Sequence, residues 1–194
     1  MFRLVTPCLQ LQTVLELEAA YLRARGITAL LLDVDCTLKD FRAAEFHPEI
    51  VEWVAALRGA GLRLCLVSNG RPRRIAALAA VLGVEYVAKA FKPMPFGCKA
   101  ALRKLGVPAR EAAIVGDQIF ADVLAGRLAG VAAAVLVRPT SPEEPWFTRL
   151  KRPLERWVLR RINRRRAAAP VPPPPEVAAT AAPEPAATAA ENAV

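Results

Sequence analysis

The residues of this chain best suited to chemistry are Asp33 and Asp35, which follow a short apolar run in the stretch 28–39. Side chains two positions apart on a strand point to the same face, so the two carboxylates are expected to lie close together. Two like charges at that distance are costly unless they share a proton or a cation lies between them. The pattern therefore predicts a divalent metal, with one carboxylate acting as ligand or nucleophile. The alternative is a strand that ends in a solvated acidic turn.

Further polar residues stand at or just after the ends of the later apolar runs. They are Ser68, Asn69, Lys92, Asp117 and Asp122. If the runs are parallel strands, their carboxyl ends meet at one edge of a sheet, where open α/β folds bind their ligands. We therefore expect these side chains to form a single site with the first acidic pair.

Apolar runs alternate with segments of helical periodicity from residue 28 to residue 137. The run at 29–32 suits a strand buried on both faces of a sheet. Strands are predicted to end near residues 35, 70, 91, 117 and 137, with a helix in each connection. This alternation is typical of βαβ units with right-handed crossovers, so the predicted fold class is α/β with a parallel sheet of about five strands.

Apolar residues recur at helical spacing over residues 9–24, just before Gly26. We expect a helix there, ended by the glycine. The predicted organisation is a helical lead-in at 1–27 followed by a core domain at 28–145.

The net charge of +9 is spread unevenly over the 194 residues. Residues 1–145 hold 18 basic and 14 acidic side chains (+4), residues 146–166 hold nine basic and one acidic (+8), and residues 167–194 hold three acidic ones (−3).

The four cysteines form no CxxC pair, which favours a reducing cytosol over a disulfide scaffold or a zinc site. No apolar run approaches the roughly 20 residues of a membrane span, and we see no secretory signal.

Four motifs in this order resemble those of the haloacid dehalogenase superfamily. They are Asp-Val-Asp-Cys-Thr-Leu at 33–38, Ser-Asn at 68–69, Lys-Pro at 92–93, and Gly-Asp-Gln-Ile-Phe-Ala-Asp at 116–122. The resemblance implies a Rossmann-like three-layer sandwich around the parallel sheet. The Gly-Asp-Gln of the fourth motif, the Lys-Pro of the third and connections too short for a cap domain are similar to subfamily IIIA, which has no cap domain (C0 type).

The resemblance narrows further at the opening Leu-Val-Thr-Pro, residues 4–7, and around residues 138–140. These segments are similar to the YqeG branch, which is linked to phosphatidylglycerophosphate phosphatases. The likeness covers residues 1–166.

This resemblance implies a role for each site residue. Asp33 would be the nucleophile that accepts the phosphoryl group, and Asp35 would protonate the leaving oxygen and then activate water. Mg²⁺ would be held by Asp33, the backbone carbonyl of Asp35, and Asp117. Lys92 would stabilise the pentavalent phosphorus and the charge of Asp33.

Three further residues have an implied role and an alternative. Ser68 and the backbone after it would bind the phosphate, whereas Asn69 is either a phosphate ligand or a turn residue. Asp122 would orient Lys92 or a metal-bound water from outside the ligand shell, or would be an acid at a helix N-terminus.

Two residues need separate comment. Cys36 stands where this branch usually has asparagine or glycine, and it is either a tolerated substitution or an oxidisable thiol beside the metal. The only histidine, His47, precedes Pro48 and is expected to be a surface or N-cap residue.

The basic segment 146–166 is predicted to be an amphipathic helix with a second piece starting at Pro153. Leu154, Trp157, Val158 and Ile162 are expected on one face. One interpretation is binding to an anionic membrane through Trp146, Trp157, Arg156, Arg160 and Arg164. A second is that Trp157 and Leu154 cover the domain while the arginines are merely solvated. A third is nucleic-acid binding, which the chemistry of the site does not support. The Ala/Pro-rich tail, 167–194, is expected to be disordered.

The main hypothesis is a Mg²⁺-dependent phosphomonoesterase that converts phosphatidylglycerophosphate to phosphatidylglycerol through an aspartyl-phosphate. It would be cytoplasmic and peripheral on the membrane, with no nucleic-acid partner. One alternative is a phosphatase for a soluble metabolite or a phosphoprotein. Another is a non-catalytic membrane- or RNA-binding protein on the same scaffold.

Overall fold

The computed structural model describes residues 3–143 and 146–167. Its strands are β1 (Leu9–Leu11), β2 (Ala29–Leu32), β3 (Arg63–Val67), β4 (Glu85–Val87), β5 (Ala112–Gly116) and β6 (Ala133–Val137). Its α-helices are α1 (Ala19–Arg23), α2 (Pro48–Gly59), α3 (Pro72–Leu82), α4 (Phe96–Leu105), α5 (Leu124–Ala129) and α6 (Trp146–Ala167). A π-helical turn, Ile119–Val123, leads into α5.

The six strands form one parallel sheet in the order β1-β6-β5-β2-β3-β4. The predicted fold class is confirmed, with one strand more than expected. The central strand β2 is buried along its whole length and lies between β5 and β3. The carboxyl ends of all six strands therefore lie at one edge of the sheet, where the site is found.

Successive residues of β2 pack into different cores on the two faces of the sheet. Leu30 and Leu32 join α2 and α3 in one core, whereas Ala29 and Leu31 join α4, α5 and α6 in the other. This alternation gives the three layers of the fold. It also explains why the run is apolar at every position.

The prediction of one helix over residues 9–24 is wrong. Residues 9–11 form β1, the edge strand, which pairs with β6 from Leu9 opposite Val135. Thr13 and Glu16 then form a capping box that starts a short 3₁₀ turn, and α1 begins only at Ala19. The spacing of the apolar residues was compatible with a helix. However, the capping box starts a new helical turn after Thr13, and residues 9–11 form hydrogen bonds with the edge of β6.

The basic segment forms a single helix, α6, with Pro153 inside it, instead of the predicted second start. Val158 and Ile162 are buried in the second core, while Leu154 and Trp157 are 54% and 55% exposed. The expected single apolar face is therefore divided, and Leu154 and Trp157 do not cover the domain. The side chain of Trp146 and the tail from residue 168 lie outside the described residues. Among the described helices, none is both long enough and apolar enough to cross a bilayer.

Candidate active site

The centre of the site is a buried row of charges formed by Asp33, Lys92 and Asp122. The ammonium group of Lys92 lies 2.5 Å from Asp33 Oδ1 and 2.6 Å from Asp122 Oδ1. Asp33 follows β2, Lys92 follows β4 and Asp122 lies in the π turn after β5, so three separate segments meet here. Each of the three side chains is less than one tenth exposed.

A glycine allows Asp122 to reach this row. A Cβ atom at Gly116 would lie 2.3 Å from Cγ of Asp122, a distance that the packing does not permit. The backbone N–H of Gln118 donates to Asp122 Oδ2 at 3.0 Å, which holds the carboxylate in place. Close approach of strand and turn therefore requires glycine at the end of β5.

Asp117 lies next to this row and contacts helix α6. The hydroxyl of Thr37 lies 2.9 Å from Asp33 Oδ2 and 3.3 Å from Asp117 Oδ1. Arg152 donates to the backbone oxygen of Asp117 at 2.8 Å and pairs with its carboxylate. Arg152 also donates a hydrogen bond to the carboxylate of Glu155 at 3.0 Å, and the same carboxylate accepts a hydrogen bond from the backbone N–H of Phe120. Helix α6 thus supplies a cation to a residue that the motif comparison assigns to the metal.

Asp35 has a different cation from Asp33. Both of its carboxylate oxygens accept from the guanidinium of Arg74, one of them at 2.9 Å, and Lys39 lies 3.9 Å away. The like charges of Asp33 and Asp35 are therefore balanced separately, by Lys92 on one side and Arg74 on the other. The metal expected between Asp33 and Asp35 stays a prediction; in the structure each carboxylate is paired with a protein cation of its own.

The second motif supports the site through its hydrogen bonds. Ser68 is buried, and its hydroxyl accepts the backbone N–H of Gly70 at 3.0 Å. The side-chain amide of Asn69 bonds both the backbone N–H and the backbone oxygen of Lys92, at 2.8 and 3.0 Å. Asn69 therefore fixes the loop that carries Lys92. Its role as a phosphate ligand, like that of Ser68, stays a prediction.

The electrostatics of the site are unusual because so many charges are buried. Burial raises the pKa of Asp33 to about 6, with repulsion from Asp122 added and attraction to Lys92 opposing it. Burial raises the pKa of Asp117 to about 8, helped by the charges of Asp122 and Asp33 and opposed by Arg152. Burial alone would lower the pKa of Lys92, but the carboxylates of Asp122 and Asp33 outweigh it and raise that pKa.

The donor set fits a divalent cation. Asp33, Asp117 and Asp122 are all buried, and one carboxylate oxygen of each lies within 4.8 Å of those of the other two. Three carboxylates face two protein cations, Lys92 and Arg152, so an additional positive charge would balance the cluster. Hard carboxylate oxygens are the ligands that Mg²⁺ takes. These residues can therefore hold a divalent metal, although Asp122 was not expected in the group.

The raised pKa values predict how metal-free protein responds to pH. From about pH 4 the folded chain keeps protons that the unfolded chain has released, on Asp33 up to about pH 6 and on Asp117 up to about pH 8, so stability falls as pH rises through this range. In the presence of a chelator, we expect the free energy of unfolding to be about 2–4 kcal/mol lower near pH 8 than near pH 5. Denaturant titrations measure this directly.

Magnesium should reverse that loss near pH 8, because it binds the ionised carboxylates of the folded chain. The control is Asp117→Asn, which removes the group with the higher of the two pKa values and should flatten the pH dependence. Equal stability of the parent protein at both pH values would contradict the proposed burial of these charges.

Cys36 occupies a backbone conformation that explains the family preference at this position. Its φ is 62°, in the left-handed region that favours glycine and asparagine, and its side chain is 3% exposed. The thiol lies 3.9 Å from the backbone oxygen of Glu143, a weak contact. Cys36 therefore lies in a left-handed turn directly after Asp35; its two interpretations, a tolerated substitution or an oxidisable thiol, stay predictions.

We expect substitutions of Cys36 to follow this backbone preference. A Cys36→Val variant should lower the free energy of unfolding by about 2 kcal/mol or more relative to Cys36→Asn, because a β-branched residue fits poorly at positive φ. Chemical denaturation of both variants tests this, with Cys65→Val, in a strand of ordinary conformation, as the comparison. Equal stability of the Val and Asn variants would rule out a left-handed turn.

Sequence reasoning missed Thr37, Arg74, Arg152 and Glu155 as parts of the site. Arg74 lies in the first turn of α3, just beyond the second motif, and its position at that sheet edge was a usable signal. Arg152 had no such signal, because nothing local distinguishes it from the other basic residues of α6.

His47 lies at the N-cap of α2, is exposed and makes no capping hydrogen bond with its side chain, as expected of a surface residue.

The fold and this arrangement of acids around one lysine define a hydrolase of the haloacid dehalogenase type. The sequence matches the haloacid dehalogenase-like hydrolase family over residues 9–130, and the chain belongs to that family.

Among curated proteins, the chain is similar to the Bacillus subtilis protein named "Probable phosphatase YqeG". The two are 29% identical over 144 residues, which is 74% of this chain and 83% of the relative. It is also 29% identical, over 167 residues, to phosphatidylglycerophosphate phosphatase 1 of the Chlamydomonas reinhardtii chloroplast, covering 81% of this chain and 62% of that protein. The phosphoserine phosphatase of Thermus thermophilus is 34% identical over 116 residues, or 55% of this chain and 47% of that protein.

Solved structures with low sequence identity share the fold. The cobalt-bound deoxy-D-mannose-octulosonate 8-phosphate phosphatase of Haemophilus influenzae matches with a TM-score of 0.50 at 19% identity, over 64% of this chain and 71% of that one. A hypothetical protein from Xanthomonas campestris matches with a TM-score of 0.51 at 18% identity, over 70% and 76%. These likenesses support the architecture alone.

Proposed function

We propose that this protein is a Mg²⁺-dependent phosphomonoesterase that dephosphorylates phosphatidylglycerophosphate at a membrane surface. The observation that carries the phosphatase assignment is the buried Asp33 carboxylate, held between Lys92 and the hydroxyl of Thr37. A carboxylate oriented in this way beside a lysine, with two further acids in reach, suits attack on phosphorus.

The reaction would take place in two steps. An oxygen of Asp33 attacks phosphorus and forms an aspartyl-phosphate, while Asp35 gives a proton to the departing alcohol oxygen. Asp35 then takes a proton from water, which attacks phosphorus and releases inorganic phosphate and the free Asp33 carboxylate. Mg²⁺, held by Asp33, the backbone carbonyl of Asp35 and Asp117, would supply positive charge to the phosphate oxygens.

Protein groups would stabilise the charge that builds up on phosphorus. Lys92 is already directed at Asp33, and Asp122 holds it from the other side. Ser68 would donate to a phosphate oxygen. Arg74 has to loosen from Asp35 when that residue acts as an acid, and its guanidinium would then be available to the phosphate.

Two observations favour a phospholipid substrate. The first is similarity to the algal phosphatidylglycerophosphate phosphatase over most of the chain. The second is a row of exposed apolar residues on α6: Leu150, Leu154 and Trp157, which are 74%, 54% and 55% exposed. Positions 150, 154 and 157 lie on one helix face, and the exposed Arg160 and Arg164 lie close by. Such a face suits peripheral binding to an anionic membrane.

The connections between motifs are also compatible with a large substrate. The segment between β2 and β3 contains α2, and the segment between β3 and β4 contains α3. The absence of a cap domain stays a prediction, and an uncapped site would lie open to a headgroup in a membrane.

We expect the parent protein to hydrolyse phosphatidylglycerophosphate in anionic vesicles with a kcat/KM at least about 100-fold above that for glycerol 3-phosphate. A Leu154→Ser/Trp157→Ser variant should lose most of this advantage, about 10-fold or more, because the exposed apolar face no longer enters the interface. Phosphate release measures both rates.

The control is Val81→Ser, a change of an exposed apolar residue on α3, which should preserve the advantage. Equal kcat/KM values for the lipid and glycerol 3-phosphate would remove the lipid assignment. They would instead favour a soluble phosphomonoester, the second candidate function, which is supported by the similarity to the Thermus phosphoserine phosphatase.

A further inference from the structure

A second concavity adjoins the proposed active site and has no role in the chemistry described above. It has a volume of about 910 Å³ and lies between helix α6 and the carboxyl ends of β1 and β6. Asp117 and Ile119 form the wall nearest the acidic cluster. Because Asp117 also belongs to the cluster around Asp33, a single molecule could extend from one site into the other.

Four arginines line this cavity: Arg138, Arg149, Arg152 and Arg156. Arg152 is balanced by Asp117 and Glu155. Within residues 3–143 and 148–165, whose side chains are described, the guanidinium groups of the other three have no ion-pair partner. The cavity therefore has an excess of positive charge that no acidic residue of its walls offsets.

The side chains that line the cavity indicate the kind of ligand that it would bind. Arginine binds phosphate through two parallel N–H donors, a geometry that a lysine lacks. Gln10, Gln12 and Ser141 add neutral polar groups, and apolar residues such as Leu136 and Leu159 fill the spaces between them. A ligand with one anionic phosphate and short carbon segments matches this lining.

We propose that this cavity binds a second, non-reacting phosphate of the substrate, the phosphodiester, while the phosphomonoester lies at Asp33. This inference rests on the proposed function and extends it to a substrate class, compounds that contain a monoester and a diester phosphate within one molecule. Arg138, which follows β6, and the arginines of α6 then select the substrate, because molecules with a monoester alone leave them unpaired.

The test uses water-soluble substrates, so that membrane binding plays no part. Glycerophosphoglycerol phosphate has both phosphates, and glycerol 3-phosphate has the monoester alone. The proteins compared are the full chain, an Arg149→Gln/Arg156→Gln variant, and Arg161→Gln as a control on the same helix outside the cavity. We expect the parent to prefer the first substrate in kcat/KM, the double variant to lose this preference by on the order of 10- to 100-fold, and the control to retain it.

A binding measurement separates recognition from turnover. Calorimetry with the Asp33→Asn protein and glycerophosphoglycerol, which has the diester alone, should detect binding that the additional Arg149→Gln/Arg156→Gln change weakens by a similar factor. If the double variant keeps the full preference and the full affinity, the subsite assignment is wrong while the proposed function stands. If the parent hydrolyses no phosphomonoester at all, the proposed function is wrong.

The anion in the cavity could instead come from a neighbouring lipid headgroup. In that case the double variant would lose affinity for phosphatidylglycerol vesicles but would keep its preference among the soluble substrates. That result would overturn the assignment of the cavity to the substrate's own diester.

Discussion

An Asp33→Asn variant is expected to lower kcat for a generic aryl phosphate by at least about 1,000-fold. The amide cannot form the aspartyl-phosphate, and the remaining groups can only position and polarise the substrate. An aryl phosphate suits this test because it needs neither a membrane nor a second anion. Phosphate release under saturating substrate measures the loss.

The Asp33→Asn change should lower the rate of the chemical step without destabilising the fold. Asp33 is buried and burial raises its pKa, and Lys92 keeps Asp122 as its partner, so the neutral amide should not lower the free energy of unfolding appreciably. Asp40→Asn is the matched control, since Asp40 lies on the same segment outside the buried row, and it should leave kcat within about threefold of the parent value. Turnover that survives the change at Asp33 would exclude this residue as the nucleophile.

A Lys92→Met variant is expected to lose both activity and stability. Methionine keeps the length of the side chain but leaves Asp33 and Asp122 as facing carboxylates in a buried site. Removing one partner of a buried ion pair costs about 3–5 kcal/mol, and we expect a decrease of that size in the free energy of unfolding near neutral pH. Denaturant titration in a chelator measures it, because magnesium would partly replace the missing charge.

A second substitution distinguishes charge from packing. Asp122→Asn added to Lys92→Met removes one of the two unpaired carboxylates, so stability should partly return while activity stays low. Lys39→Met is a useful comparison. Lys39 is also buried, but its pKa is lowered because burial outweighs the attraction of Asp35, whereas the carboxylates around Lys92 outweigh burial; the charge of Lys39 therefore contributes less, and its removal should cost less than half as much. Full stability of Lys92→Met would contradict the ion pairs described here.

The sequence was most informative where local chemistry and local geometry agree. The apolar run before Asp33 predicted a strand buried on both faces, and β2 is that strand. A helix was predicted in each connection, and in α3 the residues at the i, i+3, i+4, i+7 spacing, Ile75, Leu78, Ala79 and Leu82, are all buried. Periodicity reports burial directly, because the same side chain must satisfy both the helix and the core.

Sequence reasoning failed where a partner distant in the chain decides the conformation. Residues 9–11 form a strand because the edge of β6 is available to them, and the amino acids themselves were compatible with a helix. Leu154 and Val158 looked like members of one apolar face, but only the position of α6 against the second core shows that Val158 is covered and Leu154 is not. Propensity is a weak signal that tertiary contacts override.

By itself, the sequence predicted the place and kind of the site: two acids after a buried strand, and further polar groups after the later strands, indicate a metal-binding site at one sheet edge, and phosphoryl transfer is what the resemblance of the four motifs adds. Only the tertiary structure decided which cation lies beside each acid. Lys92 lies between Asp33 and Asp122, Arg74 is paired with Asp35, and Arg152 reaches Asp117 from a helix 35 residues further along the chain. The physical reason is that the identity of a residue specifies its charge, whereas the energy of a charge depends on burial and on neighbours that come together only in the folded chain.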